Sequence, residues 1–188
     1  MGIRRRQGRR DERQEGRGTG PQSGGGATRY KVRQGMFTIG DDFWIETEGG
    51  QKVFKVDGKA LRVRSTLLFE DARGQELYKI QQKVARVRDT MDIEDTSGRP
   101  ALKVHNAMVT PVRDRWQIDV PGGQDLSAQG NILDHEYKIE RGREKIAEIS
   151  KRWFRVRDMY GVEVYDQKDA AFALLIAIVI DMMAHSGR

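Results

Sequence analysis

The chain contains no cysteine, which excludes disulfides and thiolate metal sites. That absence fits a reducing compartment, so a cytoplasmic location is expected. The N-terminus is arginine-rich but no apolar h-region follows it, so no signal peptide is read. No apolar run approaches the roughly twenty residues of a membrane-spanning helix. Catalytic signatures are missing as well: there is no P-loop, no G-x-S-x-G, no H-E-x-x-H, and no G-x-G-x-x-G between a strand and a helix. A chain with none of these reads as a non-enzyme without a cofactor.

One stretch organises what is present. Residues 170–180, AAFALLIAIVI, lie between Asp169 and Asp181 and hold no polar side chain. The run is too long for an ordinary strand and is rich in Ala and Leu, which favours helix. It is apolar all round, so every face must be covered. Each large side chain buried there is worth about 1.5–3 kcal/mol. Asp169 reads as an N-cap and Ser186-Gly187 as the stop, giving a helix over about 168–184.

The formal charge of +6 is unevenly spread. Residues 1–29 hold eight Arg against three acids, and the remainder holds 26 basic against 25 acidic residues. Residues 1–28 form a Gly/Arg-rich tail with Ile3 as the one large apolar side chain besides Met1. Such a segment cannot offset its ordering entropy and is expected to be disordered. Arg4, Arg5, Arg6, Arg9 and Arg10 make it a candidate tether to an anionic surface. A solubilising linker is the alternative. No aromatic is interleaved with these arginines, so base stacking is not supported. Nucleic acid is therefore the lesser partner for the tail.

From Phe43 a pattern recurs about every 21 to 25 residues. FWIE, LLFE, MDIE, WQID, YKIE and YGVE each alternate with period two and end in an acid. A Gly-containing turn follows five of the six copies, and then a second strand: VFKVDG, LYKIQQ, ALKVHN, DLSAQG, IAEISK. Pairs such as Phe43/Ile45, Tyr137/Ile139 and Tyr160/Val162 share the inward face. Lys55, Lys79 and Lys103 fall outward, near Glu46, Glu70 and Glu94, where exposed ion pairs explain them without a ligand. With TRYKVRQ at 28–34 as an opening strand, the chain reads as mainly β. The expected fold is a closed antiparallel barrel of about twelve strands, built from repeated hairpins. Closure removes the sheet edges. An all-apolar interior needs a filler and the apolar helix needs a wrapper, so the helix is placed through the barrel.

The linkers between hairpins repeat too: KALRVRST, KVARVRDT, AMVTPVRDR and RWFRVRDM. Their Arg62, Arg64, Arg86, Arg88, Arg113, Arg155 and Arg157 occupy equivalent repeat positions and are expected at one barrel end. A basic rim there suits phosphate or anionic lipid head groups. Asp89, Asp114 and Asp158 follow directly and are placed to neutralise it. Trp153-Phe154 reads as core packing rather than membrane insertion, since apolar pairs recur at the matching positions. His105, His135 and His185 sit in different repeats without ligand spacing, so no metal site is expected. His105 reads as an outward strand residue.

The phrases YKVRQ, VFKVDGK, KIQQK, RVRDTMDI, SKRWFRVRDMYGVEV and DAAFALLIAIVI, in this order and spacing, resemble the LURP-one-related family. The resemblance covers residue 29 to about 184 and leaves the tail outside. It implies the tubby C-terminal-like fold, shared with phospholipid scramblases: twelve strands around a central C-terminal helix. It implies no catalytic motif. Because tubby domains bind phosphoinositides through basic residues, it implies an anionic membrane surface as the partner to expect. A protein-interaction scaffold is the rival, and scramblase-like activity a weaker one.

Overall fold

The structure, a computed structural model, describes residues 26–33, 42–58, 66–81, 90–109, 114–154 and 158–185. Most of the tail therefore lies outside the described residues. The strands are β1 (Thr28–Arg33), β2 (Phe43–Thr47), β3 (Lys52–Asp57), β4 (Thr66–Asp71), β5 (Glu76–Gln81) and β6 (Thr90–Asp95). They continue as β7 (Pro100–Val109), β8 (Asp114–Asp119), β9 (Leu126–Asn131), β10 (Glu136–Arg141), β11 (Glu144–Ser150) and β12 (Met159–Val164). The helix α1 (Ala170–His185) closes the chain. Each strand pairs antiparallel with its sequence neighbours, and β1 pairs with both β2 and β12, so the barrel is closed.

Alternation decides which side chains go inside. Ile45, Phe69, Ile80, Ile93, Val104, Ile118, Ile139 and Val162 are fully buried, as period two requires. The helix threads this interior. Ala173 through Ile180 are all 0% exposed, so no face of the helix meets water. Sixteen residues at 1.5 Å span about 24 Å, close to the roughly 20 Å of a six-residue strand. Phe172 is only partly buried, where the helix enters.

The tight turns share one design. In Asp71–Gln75 and Asp95–Arg99 the first residue's carboxylate accepts two backbone N–H groups of its own turn. Gly74 and Gly98 sit at φ 80° and 79°, a conformation that L side chains rarely adopt. These turns shift the register by one residue just before the acid, between Ile45 and Glu46, Phe69 and Glu70, and Ile93 and Glu94. Across the linkers, where β3 pairs with β4, β5 with β6 and β7 with β8, the outward lysines meet the acids of the next hairpin. Lys55 stands opposite Glu70, Lys79 opposite Glu94, and Lys103 opposite Asp119. Glu70 lies on this outer wall yet is only 8% exposed, so the wall is not uniformly solvated.

The helix start differs in detail from the sequence reading. A 3-10 turn over Gln167–Asp169 leads into α1, and Asp166 caps it by accepting the Lys168 N–H. Asp169 instead takes Arg141 Nη2 at 3.0 Å. The stop read at Ser186-Gly187 lies outside the described residues; α1 is described to His185.

Candidate functional site at the linker end of the barrel

Strand alternation gives the barrel two unlike ends. The turns at 48–51, 72–75, 96–99, 120–125 and 142–143 gather at one, and α1 starts there. At the other end, Asp57 and Thr66, Gln81 and Thr90, Val109 and Asp114, and Phe154 and Asp158 face their linkers. The helix finishes at this linker end. Arg62, Arg64, Arg86, Arg88, Arg113, Arg155 and Arg157 belong to those linkers and lie outside the described residues, as do Arg4, Arg5, Arg6, Arg9 and Arg10. The strand ends that the Arg-bearing segments join do open on one side. Of the acids expected to neutralise them, Asp89 is outside the described residues and Asp158 is exposed at φ 64°. Asp114 is pushed up by burial and accepts the Ile132 N–H, which ties it to the turn between β9 and β10.

That turn and the last turn of α1 build a polar cluster. Asp181 follows the apolar run directly, and the helix carries its carboxylate to 1% exposure. An ionised carboxylate there is costly unless it is paired. His135 Nε2 lies 2.6 Å from Asp181 Oδ1, and His185 Nδ1 lies 2.9 Å from the same oxygen. The two imidazoles stack at 5.1 Å between centroids, and the Tyr160 ring lies 4.4 Å from that of His135. Tyr137 closes the cluster, its hydroxyl donating to the Ala177 carbonyl.

The electrostatics follow from these contacts. Burial alone would push the Asp181 carboxyl up, but the hydrogen bonds from His135 and His185 outweigh it and hold it below its ordinary range. The His185 imidazole is held above its ordinary value by Asp181, against the opposing effect of burial. Its other support is the Leu133 carbonyl. These contacts favour the imidazolium form of His185, which with the Asp181 carboxylate makes a charge-neutral pair. The Tyr137 and Tyr160 hydroxyls are pushed well up by burial and then by the Asp181 charge, so they stay neutral.

The structure thus corrects the reading of the histidines. His105 does stay on the wall, 3.4 Å from Asp119. His135 and His185 come together because the helix returns through the barrel, across a sequence separation that local spacing cannot register. One signal was available. Asp181 and His185 are four apart at the end of a fully buried helix and therefore share a face. A carboxylate entering an apolar interior demands a partner.

Trp153-Phe154 is corrected as well. The pair packs on the outer wall, over Gly161, and not in the core. A Cβ at Gly161 would come within 2.7 Å of Trp153 and 2.8 Å of Phe154, so the missing side chain is what admits the two rings. The Arg29 guanidinium lies 4.9 Å over Trp153, and Lys31 Nζ 5.4 Å over Phe154. Elsewhere on the wall Lys55 meets Asp42, Asp57 and Glu70 at 3.3, 3.7 and 3.4 Å. Burial works against the Lys55 charge, but these carboxylates outweigh it and hold it above its ordinary value. A lysine so held is a poor general base.

Among the described residues, no helix is long and apolar enough to cross a membrane. A comparison with curated proteins finds no match. An X-ray structure of a protein from Arabidopsis thaliana is similar, with a TM-score of 0.61 at 15% identity over 87% of this chain and 93% of that one. At that identity the likeness shows the fold alone. The LURP-one-related family model matches residues 28–181, every strand and most of the helix, and the chain belongs to the LURP-one-related family.

Proposed function

We propose that the protein is a non-enzymatic binding module that docks on anionic phospholipid surfaces, linker end first, with the Arg-rich tail as a tether. One observation carries this reading. The segments 59–65, 82–89, 110–113 and 155–157 hold nine Lys or Arg against the single acid Asp89, and the strand ends they join open at one end of the barrel. The loops of the turn end hold three Arg against two acids, and the Arg-rich tail joins the barrel at that end, at Thr28. Cations gathered on one side favour a flat anionic partner, because each gains about 1 kcal/mol near such a surface. The gain is screened by salt.

The test is co-sedimentation with anionic and neutral vesicles at low and physiological salt, run beside a single-stranded RNA titration. Full-length protein binds anionic vesicles weakly and loses them as salt rises. A chain starting at Thr28, lacking seven Arg and three acids, keeps its fold and loses most of the binding. Neutral vesicles recruit neither. Equal binding by both chains transfers the role from tail to linker end. RNA binding much tighter than lipid binding, or no binding to either surface at low salt, defeats the proposal. The second outcome leaves a protein partner.

A further inference from the structure

The cluster under the linker end does more than neutralise a buried charge. Three donor atoms, one each from His135, Asp181 and His185, lie within 4.8 Å of one another. They come from two elements 46 residues apart in sequence, and both elements are fixed. Asp181 and His185 are set by the helix, whose preceding turns are sealed inside the barrel. His135 is set by its turn, at φ 52°, a conformation uncommon for a residue with a side chain. The turn adopts it while the His135 N–H bonds the Ile132 carbonyl at 3.0 Å. The far side of His185 is oriented by the Leu133 carbonyl, the outer-layer support that ligating imidazoles commonly have.

Hydrogen bonding alone leaves part of this arrangement unaccounted for. His135 Nδ1 and the Tyr160 hydroxyl are buried with no hydrogen-bond partner among the described residues. Their residues are 1% and 0% exposed. Buried polar atoms left over beside a cluster of ligand-type side chains point to a missing participant.

We infer that His135, Asp181 and His185 form a site for one divalent transition-metal ion of the zinc type, joining the last turn of α1 to the turn between β9 and β10. The donor set selects the ion. Two imidazole nitrogens and one carboxylate oxygen suit zinc and its neighbours, whereas magnesium and calcium require mostly oxygen ligands in greater number. Three protein donors leave a further position to water. His185 gives access, because its side chain is 16% exposed while those of its two partners are at 1% and 0%. On binding, the ion displaces the His185 Nδ1 proton, which leaves to solvent, and the His135 proton moves from Nε2 to Nδ1, so that both imidazoles ligate in the neutral form. The site is independent of lipid docking.

The experiment is calorimetric titration of tag-free, metal-stripped full-length protein with zinc, cobalt(II) and magnesium, with a cooperative melt recorded for every variant. Wild type binds one zinc ion per chain, and zinc raises its melting temperature. Cobalt gives a visible d–d spectrum that zinc abolishes. Magnesium gives no heat. His185→Gln lies at the exposed edge of the cluster and keeps the fold; it weakens zinc about tenfold or more and removes the thermal shift. His135→Gln does the same where it folds, and His105→Gln changes nothing. Folded wild type that takes up no stoichiometric zinc overturns the site. So does zinc binding that survives His185→Gln, or that disappears with His105→Gln.

Discussion

The two ends of the barrel solve different problems. At the turn end, loops are short, and Asp71 and Asp95 accept their own backbone N–H groups. Arg73 and Arg99 answer those same carboxylates. At the linker end the chain leaves the sheet in longer segments rich in arginine, and the helix delivers a carboxylate and an imidazole to the opening. The turns set register within the hairpins, and the buried cluster of His135, Asp181 and His185 lies at the linker end. The helix joins the two ends, so the ways to break this division begin with it.

Ile176→Asp has the largest effect. Ile176 is 0% exposed at the middle of α1, with no partner for a charge. The cost exceeds about 4–5 kcal/mol, the range reserved for severe core defects. Circular dichroism melts of the variant show no cooperative transition. Deleting residues 169–188 does the same. A soluble, cooperatively melting protein without the helix would show that the barrel does not depend on its filler.

Asp181→Ala comes next and acts on the linker end alone. It leaves His135 and the charged His185 without their shared acceptor, and breaking a buried pair in this way costs about 3–5 kcal/mol. Its pH signature separates the ends. The Asp71 carboxyl is held below its ordinary 3.8, first by the Gln75 N–H, and the Asp95 carboxyl is lowered further, first by the Ser97 hydroxyl. A lowered carboxylate stabilises above its ordinary value and stops doing so as pH falls through its folded value. The turn end therefore loosens in acid. His185 is raised above 6.5, so its contribution is full below about pH 6.5 and is lost as pH rises through the folded value. Asp181 behaves like the turn carboxylates, so both members of its pair are in place between about pH 4 and 6.5. With a chelator present, hydrogen exchange corrected for intrinsic rates reads both effects. The last turn of α1 loses protection above that window, and the amides of Gly74 and Gly98 lose it below. Asp181→Ala abolishes the first effect and spares the second.

The turn end was the more legible in sequence. Its glycines and acids recur at fixed offsets, and period two assigns inside and outside from Phe43 to Val162. The one-residue register shift was hidden, because a bulge is a backbone event that leaves the residue pattern unchanged. Lys55 was placed near Glu46 of its own hairpin, because the hairpin repeat does not show the register across a linker that seats it opposite Glu70. At the linker end the arginines lie outside the described residues, and the contacts beneath them were not legible. His135 meets Asp181 only through the closed barrel, and the outward seat of Trp153 and Phe154 depends on Gly161, a residue distinguished by what it lacks.

The outer wall yields smaller changes. Glu94 is partly buried and takes one hydrogen bond, from Gln81 Nε2 at 3.2 Å. Glu94→Ala costs under about 1 kcal/mol, as exposed pairs do. Glu70→Gln costs more, about 1–3 kcal/mol, because a buried acceptor for a charged lysine is weakened. Urea denaturation of the two variants tests that order, and equal values would mean that burial along the wall makes no difference.

The smallest effect on stability tests the division between the ends most directly. Arg73 and Arg99 side chains are 85% and 79% exposed at the turn end. Removing both as Arg73→Ala and Arg99→Ala changes the net charge as much as Arg62→Ala with Arg64→Ala in a linker. If net charge alone drives attraction to an anionic vesicle, the two double variants weaken binding equally. If the linker end faces the surface, position matters. The ends are about 20 Å apart along a strand, and the screening length near physiological salt is about 8 Å. Over that distance a charge at the turn end retains about a tenth of its influence. The turn-end pair therefore leaves vesicle affinity within about twofold of wild type. The linker pair, at about 1 kcal/mol for each charge at the surface, weakens it by up to about thirtyfold. Co-sedimentation of both variants at physiological salt decides between the two. Equal losses would show that the barrel meets the membrane without a preferred end, and no loss in either variant would leave the tail as the whole of the attachment.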